Sequence, residues 1–187
     1  GNTSGDRVVV DDASFSDVVK FDSISNNVDR RVHKSLGITL NDEKFVTDFE
    51  FTMDSLTSDP VMSVFVLTAG TDNPNTATQD MLGIVTWIQG LRISYKDGAS
   101  GQQYSTSTSN LVIGTKYYIR LIRESSIKST LIIYLNSDRT EVFDSITLTI
   151  PSTITGLTTL QHSGASDGGG STRDLSATID NTLIYNR

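Results

Sequence analysis

An all-β domain built as a two-sheet antiparallel sandwich, or as a closed barrel, is the fold that this sequence predicts. Valine, isoleucine and threonine make up about 29 % of the chain while alanine and glutamate together reach only about 5 %, a balance that favours strands and starves helices. Apolar residues recur with a period of two, and no stretch sustains the period of about 3.6 that an amphipathic helix needs. Serine, threonine and aspartate collect between the apolar runs, where they suit turns. Roughly ten to thirteen short strands at regular spacing follow.

The first clear strand is Phe45 to Asp54, in which Phe45, Thr47, Phe49, Phe51 and Met53 alternate with Val46, Asp48, Glu50, Thr52 and Asp54. One face is predicted to be buried and the other mostly polar. Val61 to Ala69 is apolar on both faces, as a strand central in its sheet requires, and Asp59-Pro60 supplies the turn before it. Leu82 to Ile88 and Leu91 to Lys96 flank Gln89-Gly90, the spacing of a hairpin with a two-residue turn. The polar run Asp97 to Asn110, which ends in Ser105 to Asn110, predicts a loop or a weak edge strand. Tyr117 to Arg123 and Thr130 to Leu135 pair around Glu124 to Ser129, and Thr147 to Ile150 stops at Pro151. Leu157 to His162 and Ala177 to Tyr185 complete the set. Between them Ser163 to Thr172 reads as a mobile surface loop, since strand patterning resumes after it.

A chain of 187 residues fits one domain, residues 1–187, with a real hydrophobic core. Its formal net charge of −7 opposes binding to nucleic-acid phosphates or anionic lipid through a basic patch. Without cysteine there is no disulfide framework, no zinc-thiolate centre and no cysteine nucleophile. No apolar run approaches the roughly 18 to 20 residues of a spanning helix, so no membrane insertion is expected. No basic-then-apolar leader precedes Gly1, which implies a soluble chain trimmed at its start.

The segment Gly114 to Asp138 (GTKYYIRLIRESSIKSTLIIYLNSD) carries a glycine, an aromatic pair and an apolar strand, then a second strand ending in tyrosine and a polar turn. It resembles the paired strands of the concanavalin A-like lectin/glucanase jelly rolls, including laminin-G-like domains. Ala177 to Asn186 is similar to the last strand of that group, where an aspartate precedes an alternating run ending in tyrosine. With Phe45 to Asp54, the resemblance spans most of the chain. It departs from the laminin-G pattern at Asn136-Ser137-Asp138-Arg139, which stands where that group has asparagine-glycine. The resemblance implies a non-catalytic, lectin-like domain that binds an oligo- or polysaccharide on the concave face of one sheet. It also implies an extracellular or virion-surface setting within a larger multidomain protein, and one structural calcium ion held by Asp180 with backbone carbonyls.

Other chemistry fits the residues less well. Glycoside hydrolysis needs two carboxyls on one surface, and Asp48, Glu50 and Asp54 share a predicted face. The Glu-x-Asp-x-Glu and Glu-x-Asp-x-x-Glu patterns of the glucanases are absent, however, so solvated carboxylates are favoured over a catalytic pair. His33 and His162 have no Gly-x-Ser-x-Gly elbow to serve, and Gly168-Gly169-Gly170 lacks the Lys-Ser/Thr of a phosphate loop. The loop Thr71 to Asp80 gathers Asp72, Asn73, Asn75 and Asp80, which reads as a plain turn ahead of a calcium loop. Sugar recognition asks for flat apolar faces beside planar polar groups. Alternation sets Trp87, Arg92, Tyr118 and Arg120 opposite aliphatic residues, hence outward on a predicted common sheet face, with Glu50, Tyr104, Gln161 and His162 at its edges. Two further readings stay open: a structural or adhesive domain, and a diverged glycoside hydrolase.

Overall fold

The computed structural model describes residues 19–24, 31–57, 62–74, 78–163 and 174–186. Their elements are twelve strands: β1 (Val19–Ile24), β2 (Arg31–Ser35), β3 (Phe45–Thr57), β4 (Met62–Thr68), β5 (Met81–Trp87), β6 (Gly90–Lys96), β7 (Gln103–Tyr104), β8 (Lys116–Ser125), β9 (Lys128–Tyr134), β10 (Val142–Thr149), β11 (Thr159–Ser163) and β12 (Asp174–Asn186). No helix occurs among the described residues. The first sheet runs β1-β12-β3-β8-β9-β10 and the second β2-β11-β4-β5-β6-β7, with every pairing antiparallel. The fold is therefore an all-β, two-sheet antiparallel sandwich. The turn at Asp59-Pro60, the loop beyond Ser163 with its three consecutive glycines, and Asn75 lie outside the described residues.

Each sheet turns one face toward a shared core. On β3 the inner set is Phe45, Thr47, Phe49, Phe51 and Met53, all at 1 % exposure or less, as the alternation predicts. β8 and β9 answer with Tyr117, Ile119, Leu121, Leu131 and Ile133. From the second sheet come Phe65, Leu67, Leu82, Ile84, Leu91 and Ile93. Phe49 and Phe65 stack across the gap with ring centroids 4.8 Å apart and planes at 8°, so one aromatic pair clamps the two sheets together.

The hairpin of β5 and β6 is a correction to the sequence reading. Trp87 pairs with Gly90, so the two turn residues are Ile88 and Gln89, and Ile88 takes φ +57°, which is unusual for a β-branched residue. Gly90 is used for close approach instead of for the turn: a Cβ there would meet Ser107 Oγ at 2.4 Å and the Thr108 carbonyl at 2.7 Å. That approach explains the polar run 105–111. Ser105, Thr108 and Leu111 donate their N–H groups to the carbonyls of Ile93, Leu91 and Gln89, and the Ser105 and Thr108 hydroxyls accept from the N–H groups of Ile93 and Leu91. Hydroxyls thus finish the edge of the sheet where an ordinary strand partner is missing.

Candidate carbohydrate-binding face

The outer face of the second sheet is built from every second residue of its strands. Because Ile84, Leu91 and Ile93 point into the core, Val85, Trp87, Arg92 and Ser94 take the other face of the sheet, where Trp87 and Arg92 are partly exposed while Val85 and Ser94 are fully buried. Pairing extends one row across the face: Tyr104, Ser94, Gly83, Val66, Gln161 and His33 stand opposite one another in turn. At about 4.8 Å per strand, Ser94 and Gln161 are about 14 Å apart. Gly83 between them carries no side chain, and a Cβ would run into the Phe65 carbonyl at 2.4 Å.

At one end of this face the guanidinium of Arg92 lies 3.9 Å from the centre of the Trp87 ring, and both side chains are half-buried. The cation and the indole quadrupole attract each other in this pose. On the same face, among the described residues, lie polar atoms that no group satisfies. Arg92 Nε, Ser94 Oγ and Gln161 Oε1 are buried without a hydrogen-bond partner, as is Gln102 Nε2 just before β7. Each such group loses its hydration with nothing in return, a cost of about 1 to 3 kcal/mol, and native folds keep few of them. Gln161 is otherwise committed: its Nε2 reaches Thr68 Oγ1 at 2.8 Å and the carbonyls of Asp72 and Gly70 at 3.0 and 3.1 Å, pinning the loop after β4.

The structure divides the predicted site. Trp87, Arg92, Tyr104 and Gln161 share the outer face of the second sheet, but Tyr118, Arg120 and Glu50 lie on β8 and β3 in the first sheet, facing the other way. One sheet face cannot hold all of them, because alternation fixes which face a residue takes within a sheet and says nothing about which sheet it joins. Arg120 has a structural partner: its Nε and Nη2 each donate at 2.7 Å to the carboxylate of Asp48, which is 2 % exposed. That carboxylate holds the Arg120 proton more tightly than usual. Arg139 Nε stands 3.7 Å from the same Asp48 oxygen, and Lys116 binds Glu50 at 2.6 Å.

His162 also leaves the predicted surface. It turns into the core, edge-on to Phe65 at 5.9 Å, with Nδ1 3.1 Å from the Val64 carbonyl. Burial lowers its pKa from 6.5 to about 4. The unfolded chain therefore takes up a proton between those pH values while the folded chain does not. The stability given by the neutral ring is complete above about pH 6.5 and falls toward pH 4, by roughly 3 kcal/mol in total. Urea melts of wild type and His162→Gln at pH 7 and pH 4.5 should show the smaller drop in the variant. Parallel drops would mean that the ring is solvated.

Among the described residues no three His, Asp or Glu side chains gather at one point. Asp180 Oδ1 accepts the N–H of Asn181, and its cross-strand neighbour Glu50 is already bound by the Lys116 ammonium. Glu50 is thus held by a cation and supplies no free carboxylate beside Asp180. In the Thr71 to Asp80 loop, Asp80 is spent on the N–H groups of Gly98 and Thr155, consistent with a turn.

Sequence reasoning missed Ser94 and Gln102. Ser94 follows Arg92 by two, so the same alternation that exposed Arg92 placed it, yet a lone serine in a strand gives no signal. A groove of about 230 Å³, lined by Lys44, Phe45, Val46, Ile122, Arg123 and Glu124, holds none of the predicted residues. There the buried Arg123 caps the carbonyl of Ser126 at 3.1 Å, and its burial depresses its pKa.

No protein-family model matches the chain, and no curated protein matches it. Solved structures do. A protein of unknown function from Shewanella oneidensis superposes with a TM-score of 0.54 at 12 % identity, over 95 % of this chain and 72 % of that one. Botulinum neurotoxin type C, which depends for entering cells on interaction with two ganglioside molecules, gives 0.52 at 14 % identity, over 92 % and 43 %. A GH43 protein from Bacillus licheniformis gives 0.52 at 13 % identity, over 78 % and 28 %. The chain thus spans under half of the toxin chain that it matches, and these likenesses share its sandwich fold.

Proposed function

We propose that this chain is a concanavalin A-like sandwich that binds an oligo- or polysaccharide, without catalysis, on the outer face of its second sheet around Trp87. Trp87 carries the reading: a half-exposed indole stands beside polar atoms that are buried yet unpartnered. A sugar ring offers C–H groups to the indole and hydroxyls to the Arg92 guanidinium stacked on it, the two needs of this end of the surface. The fold likeness to a toxin that engages gangliosides, lipids with sugar headgroups, supports the same class of ligand. Against hydrolysis, Asp48 and Glu50 are each committed to a cation, at 2.7 and 2.6 Å. An extracellular or virion-surface setting, within a larger protein, belongs to the same proposal.

The adhesive reading has one observation of its own, the exposure of Val112 and Ile113 at 61 % and 42 %. Pull-down on insoluble polysaccharides and a glycan array separate the two. With a bound saccharide in hand, Trp87→Ala should weaken binding at least about tenfold, equivalent to about 1.4 kcal/mol, and shift the melting temperature by only a few degrees. Binding that survives both Trp87→Ala and Arg92→Ala would move the site elsewhere. Release of reducing sugar would make the chain a hydrolase.

A further inference from the structure

The saccharide at this face, we infer, carries a carboxylate, and Arg92 receives it. This rests on the reading that the Trp87 face binds a sugar and adds the chemical class. The described arginines differ in how their charge is met. Arg120 and Arg139 both address Asp48, and Arg123 caps the carbonyls of Ser125 and Ser126. Arg92 has the Trp87 ring on its flat side and, among the described residues, no carboxylate in ion-pair contact.

Stacking of a guanidinium uses the face of the group and leaves the donors in its plane available. On Arg92 one of those donors, Nε, is buried and idle. A planar fork of N–H donors in that state is matched by two oxygens on one carbon, which accept two parallel hydrogen bonds. A sugar hydroxyl would satisfy one donor and leave the charge unmet. Ser94 Oγ, buried and idle on the same strand face two residues along, adds a donor for a carboxylate oxygen or for a neighbouring hydroxyl. Among the described residues, the polar side chains next in sequence to these strands, Gln89, Gln102 and Gln103, are neutral amides.

Two matched pairs test this: sialyllactose against lactose, and trigalacturonate against its carboxyl-reduced trimer, each titrated into the full chain by calorimetry. In at least one pair the acid should bind at least tenfold tighter. Arg92→Gln should bring that acid down to its neutral partner, Arg92→Lys should keep part of the preference, and Trp87→Ala should weaken both members. The pair that shows the difference identifies the source of the carboxylate. Equal binding of acid and neutral members, dependent on Trp87, would overturn the inference and leave the sugar-binding face standing. Absence of binding by all four probes and by neutral polysaccharides would overturn both.

Discussion

Phe49→Ala is expected to leave the protein at the edge of unfolding, lowering its stability by about 3 to 5 kcal/mol. The ring is fully buried on β3 and stacks on Phe65 of β4, so its removal opens a cavity at the seam between the two sheets and ends an aromatic contact. Domains of this size hold only about 5 to 15 kcal/mol in total. Urea denaturation at pH 7 should show the midpoint falling by a third or more. Phe49→Leu, which keeps most of the volume, should recover a large part of the loss. A change below about 1.5 kcal/mol for alanine would mean that the sheets are not clamped at this pair.

Arg120→Ala is expected to cost about 3 kcal/mol, and more than Asp48→Ala. The asymmetry follows from exposure. Removing the arginine strands a carboxylate that is 2 % exposed, with Arg139 at 3.7 Å as its remaining cation. Removing the aspartate frees a guanidinium that is 33 % exposed and can hydrate. In a double-mutant cycle the two losses should fall short of additive, because each single variant already breaks the same pair. The opposite order, Asp48→Ala costing more than Arg120→Ala, would show that the carboxylate is hydrated in the folded protein. Saccharide affinity should be unchanged in both variants, since this pair faces away from Trp87.

Most of the fold was legible because period-two alternation and the β-branched excess report directly on half-buried strands. The inner face of the strand beginning at Phe45 was read correctly, while on its outer face Asp48, expected to be solvated, is buried against Arg120. Legibility failed where a residue type was serving tertiary contact. Gly90 looked like a turn residue, but its missing Cβ makes room for Ser107 and Thr108. β10 starts at Val142, five residues before the predicted strand, because as an edge strand with half its residues exposed it carries little apolar signal. The candidate face was half legible. Alternation could say that Trp87, Arg92, Tyr118 and Arg120 all point away from a core. Whether β5 and β8 share a sheet depends on long-range pairing, which alternation leaves undetermined, and the two strands fell on opposite layers. His162 shows the same limit, since a single histidine at the end of an apolar run fits a core position as well as a rim.

Trp87 is the chain's one tryptophan, so its emission reports on the proposed face alone. Titration of the folded protein with a saccharide already shown to bind by pull-down should therefore give a saturable change in tryptophan fluorescence. Its midpoint should match the affinity from calorimetry, and Arg92→Gln should shift both together. Saturable binding in the calorimeter with tryptophan emission unmoved would contradict the account, and would place the sugar away from the outer face of the second sheet.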